Sequence, residues 1–140
     1  MILKFIKLSP DAKEFKYSRN GDACLDMYSN EDSVVIEPHT SKVITTGIAV
    51  EVPLGYEGIV RGRSGLATKG ILCHVGTIDS NYRGNVGVIL FNITNKPYVV
   101  SKYDRIGQFS LHTTTQTNLI EVFELSDTNR RDQGYGSSGK

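Results

Sequence analysis

The segment Gly76-Thr77-Ile78-Asp79-Ser80-Asn81-Tyr82-Arg83-Gly84-Asn85 sets one carboxylate directly after an apolar residue and just ahead of a strongly apolar run. A carboxylate in such a turn can be held still. If it also faces water, Asp79 can act as a general base, a role worth on the order of 10² to 10⁴ in rate. The same three residues, Asp79, Ser80 and Asn81, can equally make an Asx turn with no chemistry attached. Tyr82 is open in the same way, as an edge of the core or as a platform for a sugar ring.

Arg61-Gly62-Arg63-Ser64-Gly65-Leu66-Ala67 is a second constellation. It ends a strand-like run and opens the one segment with helical character, Ser64 to Lys69, with Ser64 as the N-cap and Gly70 as the stop. Arg63, the Ser64 hydroxyl and the first free N–H groups would converge there on an anion. An ordinary capped helix with exposed arginines explains the same residues. No G-x-x-x-x-G-K-[ST] occurs, so phosphate handling of the P-loop type is excluded. The chain end, Arg130 to Lys140, is too polar and glycine-rich to join a core. Its arginines and hydroxyls suit phosphates and its one ring, Tyr135, suits a base, although a loose tail has the same composition.

These residues must be positioned by something, and the rest of the chain indicates strands. Helical periodicity is nearly absent, whereas β-branched runs alternate with turn residues every eight to twelve positions, the pattern of an all-β sandwich or barrel. Strands are expected at Val43–Val52, Glu57–Arg61, Val86–Ile93, Ile106–His112 and Leu119–Leu125. Val52-Pro53-Leu54-Gly55-Tyr56 and Asn95-Lys96-Pro97-Tyr98 have the residues of reversals. With 140 residues the chain is the size of one domain with one core. Its net charge of +1, without blocks of like charge, argues against a nucleic-acid or membrane surface. Cys24 and Cys73 are isolated and His39, His74 and His112 are scattered, so neither zinc nor a disulfide framework is signalled. Met1 to Leu8 is too short and too charged for a signal or a spanning segment, so a soluble protein is expected, and the isolated cysteines are compatible with an intracellular compartment, cytoplasmic or, in a eukaryote or virus, nuclear.

Taken together the motifs resemble those of the homotrimeric dUTPases, the deoxyuridine triphosphate nucleotidohydrolases, over nearly the whole chain. Ala23-Cys24-Leu25-Asp26-Met27 is similar to the first family motif, Ala-Gly-x-Asp-Leu, and Gly62 to Ala67 to the second, Pro-Arg-Ser-Gly-Leu-Ala. Gly76 to Gly84 meets the third, Gly-x-Ile-Asp-x-x-Tyr-Arg-Gly, without a gap. Asp104-Arg105-Ile106-Gly107-Gln108-Phe109 is similar to the fourth, and Gly134-Tyr135-Gly136-Ser137-Ser138-Gly139 to the fifth. Cys24, Gly62 and Gly107 depart from the pattern by one small residue each, and Arg131 and Gln133 replace glycines of the fifth motif.

The resemblance implies a jelly-roll-like β-clip domain over residues 1–126 with one short helix, and a flexible C-terminal arm over residues 127–140 that closes over the active site. It implies hydrolysis of dUTP to dUMP and pyrophosphate with Mg²⁺, which limits uracil in DNA and supplies dUMP for dTMP synthesis. Asp79 would activate water for attack on the α-phosphorus, and Tyr82 would lie under the deoxyribose. Gly76, Thr77 and Ile78, in a hairpin running roughly from Ile71 with His74 at its tip, would read uracil through backbone groups. Arg63, Ser64, Gly65 and Gln108 would bind phosphates, and Asp26 would place the magnesium ion through water. Arg130, chosen over Arg131 by its spacing, would join Tyr135, Gly136, Ser137 and Ser138 in covering the nucleotide, with Tyr135 on the base. His74 is either a solvated turn residue or a contact to the base. The implied partners are dUTP and two further copies of the chain, with active sites shared between subunits. Two other readings keep this fold: a dCTP deaminase, whose glutamate has no counterpart between Ile71 and Ile78, and a regulatory protein that responds to a nucleotide.

Overall fold

The computed structural model describes residues 1–132 and 134. Among them are β1 (Lys4–Lys7), β2 (Leu25–Tyr28), β3 (Ser33–Ile36), β4 (Ser41–Thr45), β5 (Ile48–Glu51), β6 (Tyr56–Arg61), α1 (Ser64–Ala67), β7 (Ile71–Cys73), β8 (Gly76–Ile78), β9 (Gly87–Asn92), β10 (Tyr98–Ser101) and β11 (Arg105–Thr113). The fold is nearly all β, as the residue pattern leads one to expect, and jelly-roll-like, as the family resemblance implies. One sheet runs β2-β11-β6-β8 and a second β4-β9-β7, with the pairs β1-β5 and β10-β3 beside them. Every pairing is antiparallel, so alternate residues can face one buried layer. In β9 that alternation buries Val88 and Leu90, and in β6 it buries Val60.

β11 departs from it, and the departure matters. Ile106 and Phe109 are both buried although three residues apart, an odd spacing that would send them to opposite faces of a regular strand. A register shift between Arg105 and Gly107 against β2 supplies the extra residue. Such a bulge re-aims the side chains around it, and here it brings Arg105 and Gln108 to the same carboxylate.

Several strand expectations are corrected. The run Val43–Val52 is two strands in two sheets, β4 on β9 and β5 on β1. Between them Gly47 takes φ +68°, where a side chain would also meet Ala12 and Asn30 at 2.9 Å, and Thr46 donates its hydroxyl to the Val86 carbonyl at 2.7 Å. Leu119–Leu125 forms no strand within the chain, and Leu119, Ile120, Phe123 and Leu125 stand exposed. β7 and β8 are not the two arms of one hairpin. β7 pairs with β9 and β8 with β6, so His74 lies in a crossing between sheets, its amide donating to the Ile89 carbonyl at 3.0 Å. The helix is a single turn with Arg63 at the N-cap, so Ser64 is its first helical residue and makes no capping bond. Gly70 does end that turn, with φ +76°.

Candidate active site

β2 carries Asp26 directly opposite Gln108 of β11, which in turn faces Arg61 of β6, the residue two before Arg63. Asp26 is 3% exposed. One of its oxygens, Oδ2, accepts the Ser18 hydroxyl at 2.6 Å and Arg105 Nη1 at 3.3 Å. The other, Oδ1, has looser neighbours, Gln108 Nε2 and Arg63 Nε, both at 3.4 Å. Burial alone would raise the pKa of this carboxyl, but the hydrogen bonds from Ser18 and Arg105, the charge of Arg63 and the Gln108 amide together hold it below the usual carboxylate range. Asp26 is therefore a fixed anion between two arginines. The cleft it floors, about 290 Å³ and also lined by Arg19, Asp22 and Cys24, opens where Arg63 and Arg105 converge. Paired guanidiniums around a cleft suit phosphate oxygens.

Arg63 is held from two sides. Its Nη1 donates to the Arg105 carbonyl at 3.3 Å, while its Nε is buried with no aligned hydrogen-bond partner. Ser64 and Gly65 follow it at the exposed start of α1, where first-turn N–H groups have no partner inside the helix.

Asp79 follows β8 at the opposite edge of the same sheet, exposed, in a turn closed by the Tyr82 amide donating to its carbonyl at 3.1 Å. The Tyr82 hydroxyl donates to the Asn85 carbonyl at 3.0 Å, and Arg83 Nη1 donates to the Ser80 and Tyr82 carbonyls, each at 2.8 Å. The turn is thus tied by its own backbone. Among the described residues no hydrogen bond engages the Asp79 carboxylate, so the Asx-turn alternative does not describe it. Asp79 shares an open basin of about 520 Å³ with Tyr56, Glu57, Thr114 and Gln116.

The structure brings Asp26, Arg63 and Gln108 together, with Ser64 and Gly65 beside them. It keeps Asp79, Tyr82 and the β8 residues Gly76, Thr77 and Ile78 apart from that group. Strand register places Asp79 level with His112 on β11, four residues from Gln108, and three strand spacings separate β2 from β8. Asp26 and Asp79 therefore lie about 20 Å apart in one chain. Arg130 is described, whereas Tyr135, Gly136, Ser137 and Ser138 lie outside the described residues. Ser18 and Arg105 escaped the reading as site residues. Ser18 has no pattern around it, and Arg105 reaches Asp26 only through the β11 bulge, which no local spacing announces.

The dUTPase family model matches residues 11–139. The chain belongs to the dUTPase family. A deoxyuridine 5′-triphosphate nucleotidohydrolase of Nautilia profundicola is 44% identical over 143 aligned positions, covering all of both chains. One from Hydrogenobaculum sp. is 42% identical over 136, covering 95% of this chain and 94% of its own. Among solved structures, a mutant dUTPase of Staphylococcus bacteriophage 80alpha with dUpNHpp superposes with a TM-score of 0.92 at 28% identity, over 99% of each chain. A mutant dUTPase of phage phi11 of S. aureus, described with a coordinated structural Mg(II) ion, gives 0.82 at 26% identity over 89% of this chain and 98% of its own. As a dUTPase the chain is a hydrolase, the dUTP diphosphatase of the expected class. No described helix of this dUTPase is long and apolar enough to cross a membrane.

Proposed function

We propose that the chain hydrolyses dUTP to dUMP and pyrophosphate in active sites built by more than one subunit of a homotrimer, limiting uracil in DNA and supplying dUMP. The carrying observation is the separation of Asp26 from Asp79. A water activated by Asp79 cannot attack a phosphorus whose oxygens are gathered about 20 Å away, so the anion cleft of one subunit has to meet the Asp79 basin of another. Exposed Phe5 and Ile6 on β1, together with the bare Leu119–Leu125 stretch, supply apolar surface for such an assembly.

In this reading the phosphates lie along Arg63, Ser64, Gly65 and Gln108, which fix the chain of oxygens and offset the charge that grows on it. Asp79 holds the attacking water and takes its proton as the new bond to the α-phosphorus forms. Gly76, Thr77 and Ile78 read uracil along β8, and Tyr82 presents its half-exposed ring to the sugar. Arg130, Tyr135, Gly136, Ser137 and Ser138, from the arm that begins at residue 127, close over the nucleotide, with Tyr135 on the base at a gain of about 1–3 kcal/mol.

Magnesium fits this donor set. Among the described residues no cluster of three or more His, Cys, Asp or Glu could cage a metal, and magnesium is commonly held by one or two carboxylates with substrate phosphates and waters. Asp26 is the carboxylate, acting through water from the less engaged Oδ1. The bound ion would neutralise triphosphate charge.

The test is pyrophosphate release from dUTP with Mg²⁺, compared with dCTP, dTTP and UTP. Asp79→Asn should lower turnover by at least about 10²-fold while dUpNHpp still binds. Near-normal turnover in Asp79→Asn would remove Asp79 from the reaction, and ammonia released from dCTP would make the chain a deaminase.

A further inference from the structure

Beyond the Asp26 cleft, across a wall formed by Ser18 and Arg105, lies a second basin of about 420 Å³. Lys13, Lys16 and Arg105 line it together with the rings of Tyr17, Tyr28 and Tyr103. Its one carboxylate, Asp104, is already engaged, with Oδ2 accepting the Ser101 amide at 2.8 Å. Among the described residues Lys13 and Lys16 have no carboxylate at ion-pair distance, whereas nearby Lys102 is paired with both Asp11 and Asp32. The chain neutralises Lys102 beside the basin and Arg105 in its wall, and leaves the two lysines, Lys13 and Lys16, without a carboxylate among the described residues.

Two further observations say what these cations face. Lys13 Nζ sits 4.0 Å from the centroid of the buried Tyr28 ring, a cation–π contact that parks the ammonium on the basin floor. Tyr103 has φ +67°, a left-handed conformation that a bulky side chain adopts only under constraint. The constraint is visible. The Tyr103 amide donates to the Ser29 carbonyl at 2.8 Å, the Ser29 amide to the Asp104 carbonyl at 2.9 Å, and the Tyr103 hydroxyl to the Asp11 carbonyl at 3.2 Å. This clamp holds the ring at the lip of the basin while leaving it 43% exposed, and Tyr17 is 55% exposed beside it. A packing role would have covered the ring. Lys13 and Lys102 place their ammonium groups 6.0 and 5.9 Å from the Tyr103 ring centroid, which leaves part of that ring exposed. Cations and part-exposed aromatic rings in one basin match a ligand with both phosphate and a flat ring, and the volume lies within the range of small-molecule sites, about 300–1,000 Å³.

We propose that this basin is a second ligand site, distinct from the triphosphate cleft, for a ring-bearing phosphate ester of nucleoside monophosphate size. Its phosphate lies on Lys13, Lys16 and Arg105, and its ring lies against Tyr103. Because Arg105 also holds Asp26, the occupant touches the same guanidinium as the catalytic cleft from the other side.

The test uses the full chain with the main cleft filled by dUpNHpp and Mg²⁺, titrated with dAMP by calorimetry. Uptake of dUpNHpp is measured in the same samples, so that an unfilled cleft is told apart from an absent second site. One dAMP per chain is expected, weakened about tenfold or more by Lys13→Glu and by Tyr103→Gly, with inorganic pyrophosphate binding there at least about tenfold more weakly than dAMP. Lys13→Glu should leave dUTP hydrolysis without dAMP unchanged. Tyr103→Gly should leave Tm unchanged or higher, since glycine accepts the left-handed backbone. No dAMP uptake, uptake indifferent to Lys13→Glu, pyrophosphate binding as tight as dAMP, or a Tyr103→Gly variant that loses Tm yet still binds dAMP would each overturn the proposal.

Discussion

Gly84 lies directly against the Tyr82 side chain, so close that a methyl group on Gly84 would overlap the Tyr82 hydroxyl. The tyrosine can reach back to the Asn85 carbonyl only because that space is empty. Gly84→Ala should push the ring out of place while sparing Asp79. The expected result is a fall of about tenfold in the preference for dUTP over UTP, comparable to losing one well-made contact, with a smaller change in kcat for dUTP. Competing dUTP and UTP and comparing kcat/KM values checks it. An unchanged ratio would mean that the position of the Tyr82 ring does not govern the choice of sugar.

The distance between Asp26 and Asp79 yields a test by mixing. Asp26→Asn and Asp79→Asn chains, each poorly active alone, should regain activity when unfolded together and refolded as mixed trimers. If every site takes Asp26 from one chain and Asp79 from another, random mixing restores about a quarter of the sites. Measured turnover no higher than that of the separate variants would place both carboxylates of a site in one chain.

Asp26 also sets an acid limit on stability. Its carboxyl is held below the ordinary value of about 3.9, so the folded form favours the ionised state. Stability from this group is fully present above that value and is lost as pH falls through the folded pKa. Urea midpoints measured without magnesium should drop for the native chain below about pH 4, and Asp26→Asn should show less of that drop. At neutral pH the variant should be less stable by about 2 kcal/mol per lost charged hydrogen bond not replaced by the amide.

Ser18 makes the shortest of the Asp26 contacts and touches the carboxylate oxygen opposite the one facing Gln108. Ser18→Ala should leave the chain folded but let the carboxylate turn. A several-fold rise in the magnesium concentration for half-maximal rate is expected, with little change in kcat at saturating magnesium. Equal magnesium dependence in both proteins would restrict Ser18 to a structural role.

Ending the chain after Ser126 removes Arg130 and the whole glycine-rich end while leaving every described strand in place. The shortened protein should keep its Tm within a few degrees and lose at least about tenfold in dUTP turnover, since stacking and phosphate contacts go together. Full activity in that protein would free the arm from any role in hydrolysis.

Much of this architecture was legible in the sequence where apolar and β-branched runs are long, as in β6, β9 and most of β11, because burial leaves its mark on the residue order. Four-residue strands such as β1 and β3 were not legible, since they hold too few residues to show a period and owe their shape to a distant partner. The run from Val43 to Val52 misled because Thr46-Gly47 is a change of sheet inside a stretch whose residues on both sides are β-branched or apolar. At the site, contiguous motifs fixed Asp26, Arg63, Asp79 and Gln108 as candidates. Their division between two edges of a sheet is a matter of register, which local spacing does not contain.

Asp26 and Gln108 meet across 82 residues of chain. A loop of that size has to close before their ladder can form, and pairings of such long range dominate the folding times of β proteins. On the ribosome, β2 emerges early and waits for β11, so the carboxylate and its arginines stay apart until almost the whole domain has been made. The anion cleft is therefore among the last features of the domain to form during synthesis, and it is complete only once β11 has paired with β2.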